Sequence, residues 1–65
     1  MMKLEKIDGK WYLKDMAFTV GTARPHADGW IVSGKREGES GTFETWAKTE
    51  KQAKFLLQKH TGYLR

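Results

Sequence analysis

The apolar pattern of this chain changes period once. Up to Lys48 it consists of short runs rich in aromatic and β-branched residues, broken by Gly, Asp, Pro and Ser. From Thr49 it takes on helical spacing. Lys3–Ile7 is the first strand expected. Asp8-Gly9 after it is a favoured two-residue hairpin turn, since both central positions need positive φ. Lys10–Val20, KWYLKDMAFTV, reads as the longest strand, but its alternation is broken. Trp11 and Leu13 share one face, whereas Met16, Phe18 and Val20 share the parity of Tyr12. A bulge or bend near Asp15 would bring both apolar sets to one side. Gly21–Gly29, GTARPHADG, reads as a loop, because Pro25 removes a donor and two glycines bracket the segment. Gly29–Arg36 is the next strand, with Trp30 and Val32 facing one way and Ile31 and Ser33 the other. Glu37–Gly41, EGESG, has the composition of a turn. Thr42–Lys48 is the last strand, with Phe43, Thr45 and Ala47 opposite Thr42, Glu44 and Trp46.

The helix has the clearest boundaries in the chain. Thr49 followed by Gln52 is a capping-box pattern, and no Pro or Gly interrupts the segment until Gly62. A glycine there suits the left-handed residue that ends a helix, so the helix is expected over Glu50–Thr61. At 100° per residue Ala53, Leu56, Leu57 and His60 fall on one arc, the buried side. Lys51, Lys54, Gln58 and Lys59 fall on the other. Phe55 lands among the lysines and is expected to fold over the edge of the sheet beneath, the alternative being an aromatic left out for a partner.

These elements predict an α+β fold: a three- or four-stranded antiparallel β-meander with one C-terminal α-helix packed on one face, residues 1–65 forming a single small domain. Which sheet face the helix covers is not decided by the pattern. Three Trp, three Phe and two Tyr supply more aromatic area than one helix can cover, so part of it is expected at the surface.

Composition narrows the setting. The chain has no cysteine, hence no disulfide or thiolate metal site, in keeping with a reducing compartment. No apolar run approaches a membrane span, and MMKLEKIDGK is too polar for a signal peptide. The expectation is a cytoplasmic protein without a membrane partner. Charge is unevenly placed. Residues 1–44 hold seven basic groups against seven acidic ones, while residues 45–65 hold five basic groups against Glu50, which accounts for the net +4. A local basic face suits an anionic partner, nucleic acid being the commonest.

No catalytic constellation is present, and the chain is not expected to be an enzyme. The two histidines are far apart in sequence. His26 with Asp28 lacks the further ligands a metal would need, and His60 suits a helix C-terminus through its charge. GKREGESG leads into a strand, not a helix N-terminus, so it is no phosphate-cradling loop. Neither metal nor cofactor is expected.

Two family resemblances bear on the anionic partner. Gly41, Phe43, Thr45, Thr49, Lys51 and Ala53 match a strand pattern like G-x-F-x-T running into a helix start like T-K-x-E-A. That resembles the N-terminal arm-site DNA-binding domain of tyrosine recombinases, the integrases, and Trp11–Lys14 looks like the first sheet strand of those domains. The resemblance implies a sheet that enters the major groove, braced by the helix from behind. Lys48, Thr49, Lys51, Ala53 and Lys54 are also similar to the last-helix start of the double-stranded RNA-binding domain, with Glu50 at a position where that family has a lysine. There His26 would lie in the minor-groove loop.

The function expected is a small nucleic-acid-binding module, for duplex DNA ahead of RNA. Its candidate contacts are Tyr12, Lys14, Arg24, Lys35, Arg36, Lys48, Lys51 and Lys54. Arg24 and Arg36 are placed to reach phosphates or a guanine edge. Lys48, Lys51 and Lys54 add donors at the helix N-terminus, although positive charge there opposes the helix dipole at a cost of about a few tenths of a kcal/mol each. Trp46 is considered for base stacking or for the core, with the core preferred. The rival from another class is a protein-interaction module, a small phage or bacterial accessory protein docking through exposed aromatics or a sheet edge.

Overall fold

The computed structural model describes residues 2–36 and 41–62. Its elements are β1 (Met2–Ile7), β2 (Lys10–Asp15), β3 (Phe18–His26), β4 (Gly29–Lys35), β5 (Thr42–Ala47) and α1 (Glu50–Thr61). The strands form one antiparallel sheet in the order β1-β2-β3-β4-β5, with neighbours in sequence adjacent in space. The α+β class and the single helix on one face are as the sequence predicts, but the strands number five instead of three or four.

The extra strand arises where the pattern misled. The segment 10–20 does not bend near Asp15; it reverses. Met16 takes the left-handed conformation, φ 58°, and Phe18 begins β3 opposite Asp15. A methionine carries no turn chemistry, and a Cβ in that region costs about 1–2 kcal/mol, so the reversal was invisible to composition. The bulge exists as well: Leu13 pairs with Gly21 while Lys14 pairs with Thr19, leaving Val20 extra on β3. It does not gather the apolar residues into the core. Met16 and Phe18 remain 85% and 74% exposed.

The segment 21–29, expected as a loop, is mostly strand. Gly21 to His26 pair with β4 in register, and only Ala27 and Asp28 turn, Ala27 with φ 54°. Pro25 is tolerated because pairing with β2 ends at Trp11 opposite Ala23. Beyond it β3 has a neighbour on one side only, where a missing N–H is harmless. The Asp8-Gly9 turn is as expected, with both residues at positive φ, 53° and 76°. The predicted turn at 37–41 falls largely outside the described residues.

The helix lies on the face that carries Trp11, Leu13, Ala23, Trp30, Val32, Phe43 and Ala47, packing chiefly on β4 with β3 and β5 beside it. Register explains how it gets close. Leu13, Gly21, Gly34 and Phe43 form one row across four strands. The two central members have no side chain, and Leu57 and Thr61 drop into that gap. A Cβ on Gly21 would stand 2.7 Å from Leu57 Cδ1 and 2.9 Å from the Ser33 carbonyl oxygen. Ala53 and Leu57 are fully buried, Leu56 packs against the core, and the His60 ring lies 4.9 Å from Phe43. The arc read from the sequence is the buried one.

Both helix ends are capped as the sequence predicts. The Gln52 N–H donates to Thr49 Oγ1 at 3.1 Å, and the Gln52 side chain accepts from the Lys48 N–H at 3.0 Å. Gly62, φ 85°, donates its N–H to the Lys59 carbonyl. Phe55 corrects the reading. It stays half-exposed outside the core cluster, with the Lys59 ammonium 5.9 Å from its ring centre.

Candidate nucleic-acid interface

The helix covers one sheet face and leaves the other open. Strand alternation together with the register assigns Lys3, Glu5 and Ile7 of β1 to the open side, and Lys10, Tyr12 and Lys14 of β2. From β3 and β4 come Thr22, Arg24, Ile31, Ser33 and Lys35; from β5 come Thr42, Glu44 and Trp46. Side-chain contacts agree with this assignment. Thr22 and Ser33 hydroxyls lie 3.3 Å apart, and the Lys3 ammonium lies 3.7 Å from Glu5.

This sorting changes the charge picture. Residues 1–44 are neutral as a stretch of sequence, but they are not neutral by face. Among the described residues the open side carries five cations (Lys3, Lys10, Lys14, Arg24, Lys35) against two carboxylates, Glu5 and Glu44. Asp8 and Asp28 sit in turns, and Asp15 lies opposite Met2 and Phe18 on the other parity. The order along each strand sorts the charges further. At one end of the face stand Lys3, Lys14 and Lys35; at the other stand Lys10 and Arg24 with Ile31 and Trp46. Between them runs a row with no cation: Glu5, Tyr12, Thr22, Ser33, Glu44.

Trp46 is not in the core. It is 49% exposed on the open side, its ring lying over Gly29, where any Cβ would collide with it. Gly29 is buried beneath it. The glycine therefore holds a flat aromatic surface against the sheet, facing outward.

The eight candidate residues do not form one site. Tyr12, Lys14, Arg24 and Lys35 share the open face. Arg36 follows β4, its N–H donating to the Gly41 carbonyl. Lys51 and Lys54 belong to the helix, on the opposite side of the sheet, and Lys48 lies in the connection before it. Lys54 is engaged: its ammonium sits 4.4 Å from the Trp11 ring centre, and Lys6 sits 5.7 Å from the same ring. Glu50 completes that group. Its Oε2 accepts from Trp11 Nε1–H and from the Lys6 ammonium, each at 2.8 Å. The Lys6 hydrogen bond and the Trp11 hydrogen bond, with the Lys6 and Lys54 charges, hold the Glu50 carboxyl below its ordinary range, against an opposing effect of desolvation. This cluster ties β1 and β2 to the helix.

Sequence reasoning missed Lys3 and Lys10 as members of the face. The signal was present on β2, where Lys10, Tyr12 and Lys14 alternate with Trp11 and Leu13, but not cleanly on β1, where Lys3 alternates with Leu4 while Lys6 shares its parity. Among the described residues no group of three or more His, Asp or Glu is placed to hold a metal ion, and no helix is long and apolar enough to cross a membrane. Comparison of the chain with known protein families, with curated proteins and with solved structures returned no match.

Proposed function

We propose that the chain is a nucleic-acid-binding module that takes duplex DNA on its open sheet face. One observation carries this reading: among the described residues the sheet gathers five cations on the face the helix leaves free, against two carboxylates, with Asp8 and Asp28 in turns and Asp15 on the other parity. Lys and Arg on such a surface neutralise phosphates and release counterions, and Tyr12 and Trp46 offer ring surface beside them. The helix lysines face away from a ligand held there, so they add to the general positive field and do not touch it.

The test is an amide-shift titration of the labelled protein with a short duplex DNA and with duplex RNA, at low and then moderate salt. Shifts at Tyr12–Lys14, Arg24 and Lys35 that fade with salt are the expected outcome. Shifts confined to Lys48–Lys54 and His26, and stronger with RNA, would move the site to the helix side. No shift with either duplex at low salt would sink the reading.

One feature favours a second reading, docking to another protein. Met16 and Phe18 present apolar side chains at the β2–β3 turn, 85% and 74% exposed. An interface built on them would respond little to salt, which separates it from phosphate binding.

A further inference from the structure

We propose that a second copy of this chain pairs with the outer edge of β5, the two β5 strands running antiparallel about Trp46 and joining the sheets of the two copies into one. The inference goes beyond the duplex-binding reading and does not depend on it.

The sheet has two edges, β1 and β5. An edge strand offers unpaired N–H and C=O groups to any extended chain, and natural edges are guarded with charge, above all with lysine. β1 is guarded in this way: Lys3 stands on its open side and Lys6 on its helix side. Those charges are also satisfied within the copy, Lys3 by Glu5 at 3.7 Å and Lys6 by Glu50 at 2.8 Å. β5, TFETWA, has no lysine and no proline, pairs with β4 in unbroken register, and carries one charge, Glu44. The Trp46 ring lies over Gly29 of β4, so it leans away from the outer edge and leaves it clear.

The charge pattern selects the occupant and the register. Glu44 lies two residues before Trp46 and Lys48 two residues after it. Continuing the alternation of β5 by one residue puts Lys48 on the open side with both, and Thr49 beyond it is still extended, φ −127° and ψ 161°. Glu44 and Lys48 stand roughly 13 Å apart along the strand, too far to pair with each other. Among the described residues neither takes part in an ion pair. A segment with opposite charges placed equally on either side of its centre is complementary to itself when reversed. Centred on Trp46, the antiparallel pair sets Glu44 of each copy opposite Lys48 of the other, and Thr45 opposite Ala47 on the helix side. Opposite charges directly across a ladder are favourable, and like charges are not. Centring on Glu44 would oppose the two carboxylates, and centring on Thr45 would set each carboxylate against an indole.

Symmetry then fixes how the two faces lie. Residues directly opposite in an antiparallel ladder point to the same side, so the two-fold axis is perpendicular to the joined sheet. Both cation-bearing faces are turned the same way, and both helices lie on the other side.

Sedimentation velocity of the full chain over a range of concentrations tests this. The wild type is expected to pass from monomer to dimer as concentration rises, because a ladder of about five residues a side makes a small interface. Glu44→Lys and Lys48→Glu, both at exposed positions, are each expected to weaken association by about tenfold or more, since either one opposes like charges twice. Mixing the two variants is expected to give a heterodimer, because the mixture restores opposite charges at both contacts. Combining both substitutions in one chain is expected to restore self-association, since it only exchanges the ends of each pair. Hydrogen exchange on the wild type needs no substitution: the outer amides of β5 are expected to slow as concentration rises. Monomer at every concentration up to about 1 mM would overturn the inference. So would a mixture of the two variants that stays monomeric, or a dimer that both reversals leave intact. A dimer lost instead on Met16→Ser with Phe18→Ser would assign self-association to the β2–β3 turn and overturn it as well.

Discussion

Glu50 shows how one side chain secures an edge strand. The Lys6–Glu50 ion pair joins β1 directly to the helix, and the Trp11 indole of β2 donates to the same carboxylate. The Glu50 carboxyl is held below its ordinary value of 4.5, so its contribution to stability is present above that value. It is lost as pH falls through the lower, folded-state value. Glu50→Gln is therefore expected to lower the urea midpoint at neutral pH and to narrow the gap between wild type and variant in acid below about pH 4. The carboxyl is open to solvent, so added salt should shrink the difference. The cap is a separate contribution. Thr49→Ala removes the acceptor for the Gln52 N–H and is expected to cost about 1 kcal/mol by chemical denaturation.

At the scale of elements, the fit of helix to sheet depends on two residues that have no side chain. Gly21 and Gly34 face each other between Leu13 and Phe43, and a Cβ on Gly34 would stand 2.7 Å from Gly21 Cα. Gly21→Ala would meet Leu57, which can shift, and the Ser33 carbonyl, which belongs to the sheet backbone and cannot. We expect a loss of roughly 1–3 kcal/mol, the usual cost of overpacking. Leu57→Ala empties the same place from the other side and is expected to lose about 2–5 kcal/mol. Both are read as shifts in denaturation midpoint at unchanged slope. The two substitutions together should cost less than their sum, since each makes room for the other.

For the molecule as a whole, the helix divides the positive charge into two populations that no single flat ligand can touch at once. Removing cations from the open face, as in Lys14→Ala with Arg24→Ala, is expected to weaken duplex binding strongly and to flatten its salt dependence. Removing Lys51 and Lys59 from the helix is expected to change it far less. Fluorescence anisotropy at two salt concentrations distinguishes these outcomes. Equal losses from both pairs would place the duplex elsewhere.

The sequence by itself determined whatever is local. The helix limits, both caps and the buried arc follow from Thr49, Gln52, Gly62 and the spacing of Ala53, Leu56 and Leu57, because hydrogen bonds within one turn and a 3.6-residue period need no distant partner. The Asp8-Gly9 turn and the face assignments of β4 and β5 were legible for the same reason. The tertiary structure alone decided the rest. The reversal at Met16 and the strand through Pro25 depend on pairing with neighbouring strands, which outweighs a poor turn residue and a missing donor. Trp46 was misplaced because strand parity says which residues share a side but not which side a helix will cover, and Phe55 because the ring stays on the lysine side where the helical arc puts it and does not fold over the sheet edge. The open face was hidden most completely. Its cations are spread over four strands from Lys3 to Lys35 and cancel against acids near them in sequence, and only the register of the strands separates the two.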